Sequence, residues 1–386
     1  MGKYKFISRI NFNTFTQKQD IKMLLFYFVL GLITSSFLNG YLNNFFLRRK
    51  LFDPVNKRSS HKNKATRSGG AAIFLTLCFS YGVGRGLLDL DINLFSLIAC
   101  CFVAFVGFFD DLFDVYYVEK FALQIFAGII LIQSDVYINN FHGIFGLYEI
   151  SELTAYIVSL FVFLVITNSL NLIDGIDGLA GLISLKFFIA ISFILYLTDG
   201  NLYSFAVNKE SMLAYSLTII GALIGFLIFN FKSYKKVFLG DFGSLLIGSI
   251  ITYFIFSILN SGNQVITDNW VNRSLIAVLL LIYPLTDTLR VYILRAKSGN
   301  SPFLPDRRHL HHNLVDKGYS HVKASILIAL LSISVLVVGF GVSLLIWNID
   351  LSSILFEGVN IIVTILIILA YMILLYYKFF ESKLSK

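Results

Sequence analysis

Long apolar runs, separated by short polar and charged clusters, organise the sequence from residue 24 onward. Each run is close to the ~20 residues that an α-helix needs to cross a bilayer. Strict apolar–polar alternation, the mark of a membrane barrel strand, is missing, and only four prolines interrupt the chain. Eleven transmembrane helices are predicted, at 24–46, 69–88, 93–109, 118–136, 153–170, 178–197, 212–230, 243–261, 274–292, 324–347 and 357–378. No internal repeat or low-complexity linker divides them. The expected fold class is an all-α integral membrane protein, with a polar N-terminal tail over 1–23 and one polytopic domain over 24–386. The tail lacks the apolar core of a cleavable signal peptide.

Composition sharpens this picture. Of 386 residues, 57% are hydrophobic and 14% charged, with mean hydropathy +0.77. A soluble domain carries roughly 25% charged residues, and a disordered chain is poor in apolar ones, so both classes are excluded. Cys78, Cys100 and Cys101 lie in apolar runs without metal-type spacing and are expected to be small buried hydrophobes. The net charge of +8 raises the question of a nucleic-acid partner. In so apolar a chain, the bias of Lys and Arg toward cytoplasmic loops explains it better. Arg48, Arg49, Lys50, Lys57, Arg58, Lys62, Lys64 and Arg67 crowd one segment. With that segment inside, alternation puts most of the basic residues on the inner side and leaves only Arg85, Lys209 and Arg273 in outer loops. The tail residues Lys3, Lys5, Arg9, Lys18 and Lys22 are then the one exception to the rule.

Carboxylates are costly near a bilayer, so clusters of them mark candidate function. Four polar clusters fall at predicted inner helix ends. In the first, Asp110, Asp111 and Asp114 stand together, with Asp110 and Asp114 four apart on one helical face. Such like charges call for a hard divalent cation. The second is a stripe of Asn168, Asn171 and Asp174 leading to Asp177, interleaved with Gly175, Gly178 and Gly181. The third, Phe238-Leu239-Gly240-Asp241-Phe242-Gly243-Ser244, opens a helix; free N–H groups and a carboxylate there suit a phosphate and its metal. The fourth is the longest inner loop, with Asp306, Arg307, Arg308, His309, His311 and His312. Arg clamps phosphate oxygens and His donates to them. A zinc or iron site on the histidines alone would need a second histidine cluster, which the sequence lacks. Together the clusters are an inventory for phosphoryl transfer, in which positioning and charge neutralisation do most of the catalysis. A membrane site with an aqueous inner mouth implies one lipid substrate and one soluble anionic substrate.

The order of these motifs, with Arg58-Ser59-Ser60-His61 and Gly69-Gly70 before them, resembles the polyprenyl-phosphate N-acetylhexosamine-1-phosphate transferases, glycosyltransferase family 4. The resemblance runs over about 48–330 and implies ten or eleven transmembrane helices in the bacterial inner membrane, with a cytoplasmic active site. It implies Mg2+, or Mn2+ in its place, and attack of a polyprenyl phosphate, such as undecaprenyl phosphate, on the sugar-linked phosphorus of a UDP-amino sugar. The products would be polyprenyl-diphospho-sugar and UMP, with GlcNAc the leading donor sugar, starting a cell-surface glycan. By motif, Asn171 and Asp241 would hold the metal. Asp110 and Asp111, with Asp114 beside them, would orient or deprotonate the lipid phosphate or help to hold the metal. Asn168, Asp174 and Asp177 would shape the nucleotide site, and Phe238 would stack on uracil. Arg307, Arg308, His309, His311 and His312 would engage the diphosphate or sugar. A homodimer is within this expectation and a nucleic-acid partner is not.

Asp114, where the muramyl-pentapeptide (MraY) branch has Lys, and His309-Leu310-His311-His312 both favour the WecA-like branch. Ala65-Thr66-Arg67 and Asn230–Lys236 depart from the common family pattern, which bears on the sugar rather than the reaction. The readings weighed against this one are the muramyl-pentapeptide transferase, an Asp-rich membrane prenyltransferase, and a transporter of anionic lipid. The prenyltransferase has no use for the histidine loop. The transporter would want charges at the bilayer midplane.

Overall fold

The computed structural model describes residues 16–51, 65–88, 93–143, 146–197, 208–262, 272–299 and 307–347, with Ile362, Leu366, Ala370 and Tyr371. In chain order the elements are α1 (Thr16–Arg48), β1 (Ala65–Thr66), α2 (Gly69–Leu88), α3 (Leu94–Phe113), α4 (Tyr117–Ile132), α5 (Glu152–Ile173), α6 (Leu179–Leu197) and α7 (Lys209–Asn230). Then come β2 (Lys236–Val237), α8 (Gly240–Leu259), α9 (Arg273–Leu280), α10 (Ile282–Lys297), α11 (Leu310–Asp316) and α12 (His321–Trp347).

The protein is an all-α, multi-pass membrane bundle. Helices occupy the first ten expected spans, the ninth as the broken pair α9–α10; the eleventh, 357–378, lies outside the described residues apart from four helical positions. Among the described residues, seven helices are individually long and apolar enough to cross a membrane, or eight with α9–α10 taken as one span bent by 69°. The fourth expected span is shortened because α4 stops at Ile132, where Gln133, Ser134 and Asp135 turn the chain. α1 begins at Thr16, inside the expected polar tail.

Local sequence sets many of the boundaries. α3, α5, α7 and α9 each open with a side-chain cap, from Asn93, Ser151, Asn208 and Asn272 to N–H groups of their own first turns. α8 has no such cap: Leu239 stands at its N-cap position. α8 is also the most enclosed helix, wrapped by α2, α3 and α5. Its N-terminal end is therefore where other elements must supply polar partners.

Small residues set the closest packing. On α1 and α7, Gly31 and Gly221 face each other's backbones so tightly that a side chain at either would collide with the Thr218 or Phe28 carbonyl. Ser35 Oγ donates to the Ala222 carbonyl at 2.7 Å in the same seam. This is the small-residue helix contact that dispersion forces favour in lipid. Asn43 extends the seam toward β1 and β2: it accepts from Thr66 Oγ1 and donates to the Lys235 carbonyl, bracing the short parallel pair β1–β2. Of the cysteines, Cys100 is buried and Cys101 half-buried, but Cys78 is exposed on α2. The burial expectation fails there because a helix face turned to lipid is as apolar as one turned to the core.

Gly221→Leu should prise α1 from α7 and lower stability by about 1–3 kcal/mol. Thermal unfolding of the detergent-solubilised variant checks this, with the exposed Phe37→Leu as the neutral control.

Candidate active site

The end of the bundle at which α8 begins is built on close backbone approach. Gly69 and Gly70 at the start of α2 donate their N–H groups to the Phe238 and Leu239 carbonyls, both at 3.0 Å. Gly107 near the end of α3 lies so close to Asp241 of α8 that a Cβ would collide with its carbonyl. The chain enters α8 through Gly240, at φ +72°, and a Cβ there would stand 2.6 Å from Asp111 Oδ2. Only glycine meets both demands.

Into this junction α3 delivers two carboxylates with different partners. Asp111 accepts from the N–H groups of Asp241 (3.1 Å) and Phe242 (3.0 Å) and from Arg67 Nη1 (3.1 Å). It thus caps α8 from another helix. The N–H groups that the sequence offered to a phosphate are occupied by an internal carboxylate. Asp110 accepts from the Val115 N–H (2.8 Å) and from Lys120 Nζ (2.7 Å), and the same Nζ bonds Asp241. Lys120 therefore sits between the carboxylates of α3 and α8. Asp114 does not join them. α3 ends at Phe113, and Asp114, at φ +50°, is an exposed C-cap rather than the next residue on the Asp110 face.

The second motif arrives from α5. Asn171 donates to Ser244 Oγ at 3.0 Å, which places its amide beside the Asp241 carboxylate at the start of α8. Asn168 is spent elsewhere: its amide donates to Gln124 of α4 and to the Leu164 carbonyl. Asp174, at the C-cap of α5, is held well above the usual carboxylate range, by burial first and then by the nearby charges of Asp241 and Asp111. Asp177 is the reverse case. Burial raises it, but bonds from His321 (3.2 Å) and Lys236 (2.7 Å) outweigh burial and hold it below the usual range. Its carbonyl accepts from Ser325 Oγ, so the glycine turn is tied to β2 and to α12.

The histidine segment closes over that turn. Asp287 of α10, fully buried, accepts from His309 Nδ1 (2.9 Å), from the Leu310 N–H (3.1 Å) and from Arg290. His311 stacks on His309 with centroids 5.5 Å apart and packs at 4.2 Å on His312. A Cβ on Gly175 would lie 2.6 Å from His311 Nε2. Both ring nitrogens of buried His311 lack a protein partner among the described residues, as for a group that meets a ligand or water. Burial, then its histidine neighbour, pushes His311 well below its usual range; burial and the Arg307 charge bring His312 down to about 4. At neutral pH both are neutral imidazoles that offer an N–H without positive charge.

Arg307 and Arg308 serve the segment itself. Arg307 pairs with exposed Asp316, and Arg308 bonds the Leu294 carbonyl and Ser298 at the end of α10. Phe238 is half-buried, and it is its carbonyl that meets α2 at Gly69. Arg58–His61 and Ser301–Asp306 lie outside the described residues.

The structure thus gathers Asp110, Asp111, Asn171, Asp174 and Asp241 at one point and Asp177, His309, His311 and His312 beside it. Sequence reading gave Lys120, Lys236, Asp287 and His321 no role in the site. Asp287 had a signal, an acid alone in an apolar run. Lys120 carried only that of a basic residue at a helix start. Among the described residues no three His, Cys, Asp or Glu side chains form a ready metal cage. The oxygens of Asp110, Asp241 and Asn171 nonetheless suit Mg2+, which in phosphoryl-transfer sites takes one or two carboxylates and completes its shell with phosphates and water.

The Asp177 contacts carry a pH signature. An acid held below its ordinary value stabilises the fold at neutral pH, and that contribution is lost as pH falls through its lowered folded value. Asp177→Asn should cost about 1–3 kcal/mol at neutral pH. Its melting curve should converge with the parent's on acidification; a constant gap down to strongly acid pH would refute the pairing.

Known proteins are similar to this chain in sequence. The profile of glycosyl transferase family 4 matches residues 94–259, which hold the first three motifs. The undecaprenyl-phosphate alpha-N-acetylglucosaminyl 1-phosphate transferase of Escherichia coli (strain K12) is 29% identical over 311 residues, covering 77% of this chain and 79% of its own. The proteins of the same name from Haemophilus influenzae (29% over 290 residues, 73% and 76% covered) and Yersinia pestis (28% over 297 residues, 75% and 76%) are similar to the same extent. With its motifs folded into one site, the chain is similar to glycosyl transferase family 4 and to the undecaprenyl-phosphate alpha-N-acetylglucosaminyl 1-phosphate transferases.

Proposed function

We propose that this protein transfers GlcNAc-1-phosphate from UDP-GlcNAc to undecaprenyl phosphate, releasing UMP, at the cytoplasmic face of a bacterial inner membrane. The observation that carries the reading is the meeting of Asp110 and Asp241 on Lys120, with Asn171 on Ser244 in the first turn of α8 and neutral imidazoles over Gly175. The names of the similar proteins support the substrates. The muramyl-pentapeptide reading gains nothing from Asp114 or from the histidine spacing.

Asp110, Asp241 and Asn171 would hold the metal. When bound, Mg2+ supplies neutralisation of the diphosphate charge and polarisation of the phosphorus under attack. The chain's own groups do the rest. Lys120 Nζ, already between two carboxylates, offers its remaining donor capacity to a phosphate oxygen. Asp111 holds the first turn of α8 in place, and so aims Asp241. The lipid phosphate reaches the site as a dianion or loses its proton to a carboxylate at this end. Its oxygen bonds to the sugar-linked phosphorus while the bond from that phosphorus to the UMP oxygen breaks. His311 and His312 donate N–H groups to the sugar or diphosphate at no charge cost.

Purified protein in nanodiscs with Mg2+, undecaprenyl phosphate and, separately, UDP-GlcNAc, UDP-GalNAc and UDP-MurNAc-pentapeptide should release UMP and form lipid diphospho-sugar with UDP-GlcNAc. EDTA should stop it. No product from any donor sinks the reading, and turnover with the pentapeptide donor alone moves the protein to the other branch. Asp241→Ala and Lys120→Met should each lower kcat by about 100-fold or more while the protein remains folded. Near-parental kcat in either variant removes that residue from the machinery.

A further inference from the structure

Lys186 stands alone as a basic residue in the apolar helix α6, and it is 5% exposed. Ionisable groups inside a membrane bundle are rare and are retained for a task. Among the described residues no ion pair engages it. Its Nζ donates instead to the Leu280 carbonyl of α9 at 2.7 Å and to Ser332 Oγ of α12 at 2.8 Å.

The Leu280 carbonyl has a particular position. In an unbroken helix it would accept from the N–H of the residue four further on, which is Pro284, and proline has no N–H. The regular pattern resumes only with Leu285, which donates to the Leu281 carbonyl. At this point α9 and α10 are bent by 69°. A backbone carbonyl left without a donor at membrane depth must find one inside the protein. Lys186 supplies it and, through Ser332, fastens the bend to α12.

What the bend aims is the histidine segment. Asp287 lies three residues beyond Pro284 on α10, and its carboxylate holds both His309 and the first N–H of α11. α6 begins just after the Gly178 turn, on which His311 and His312 rest through Gly175. Lys186 thus joins the helix that leaves the glycine turn to the end of α9, at the bend from which α10, the helix that carries the anchor of the histidines, departs.

We infer that Lys186 is a positioning residue: it satisfies the carbonyl that Pro284 orphans, holds the α9–α10 bend, and so sets the histidine segment against the glycine turn. Its kinetic consequence rests on the donor site proposed above. Its structural consequence does not.

The test uses the full chain in nanodiscs with Lys186→Met (similar length, no donor), Lys186→Arg (donors kept), Pro284→Ala (N–H restored) and the Lys186→Met/Pro284→Ala double variant. Melting temperatures are measured beside kcat and KM for each substrate. Lys186→Met should melt lower and lose about 10–100-fold in kcat/KM for UDP-GlcNAc, with KM for undecaprenyl phosphate little changed. Lys186→Arg should recover both properties in large part. The double variant should regain the melting temperature, because the N–H restored at position 284 now serves the Leu280 carbonyl, yet stay slow, because the bend is no longer held. Additive melting shifts would show that the two positions do not share a carbonyl, and would overturn the inference. Recovery of activity together with stability would reduce Lys186 to a support of the fold, and also overturns it. Should Lys186→Met fail to accumulate, Lys186→Gln is read by the same criteria. If the parent transfers no sugar, the proposed function fails, while the melting cycle still decides whether Lys186 and Pro284 are coupled.

Discussion

The site depends on one carboxylate at one helix end. α8 is the buried axis of the bundle, and its first N–H groups have no cap of their own. Asp111 provides it from α3, taking the N–H groups of Asp241 and Phe242. A helix N-terminus carries partial positive charge and unpaired donors, so a carboxylate there is doubly favoured. The same bond fixes the spacing between α3 and α8, with Gly107 and Gly240 allowing the approach. The rest of the site's geometry follows from that spacing: Asp110 next to Asp111, Lys120 between Asp110 and Asp241, and Asn171 on Ser244 in the first turn of α8.

The charges at this end are balanced locally, not by the net +8 of the chain. Arg67 serves Asp111, Lys120 serves Asp110 and Asp241, Lys236 serves Asp177, and Arg290 serves Asp287. Near a bilayer an unpaired carboxylate is costly, and each of these has its cation within hydrogen-bond reach. Among the described residues Asp174 has no such ion pair, and burial beside two other carboxylates raises it. The histidines complete a division of labour in which cations face the acids and neutral donors face the glycine turn.

Some of this arrangement was legible in the sequence. The motif-bearing residues Asp110, Asn171 and Asp241 were marked by being polar where lipid forbids it, and they meet. Asp114 misled because helical spacing was extended one residue past the true helix end. Asn168 shares the stripe of Asn171 but bonds Gln124 instead, since a stripe drifts around its helix and reaches a different neighbour each turn. The phosphate-ready N–H groups of α8 were a sound local inference that a distant carboxylate pre-empted. Lys120, counted only as an inner charge, became central because Asp241, 121 residues on, came to face it.

By itself the sequence determined the class of solvent, the helix positions, the reaction inventory and the end of the bundle where it collects, because hydropathy and polar residue types are local properties. Which carboxylate caps, which shares a lysine, which imidazole is stripped of its charge, and how Pro284 and Lys186 aim a helix were decided only by tertiary contact. Hydrogen bonds and desolvation act over a few ångströms of space, whereas Lys186 and Ser332, which they join, lie 146 positions apart along the chain.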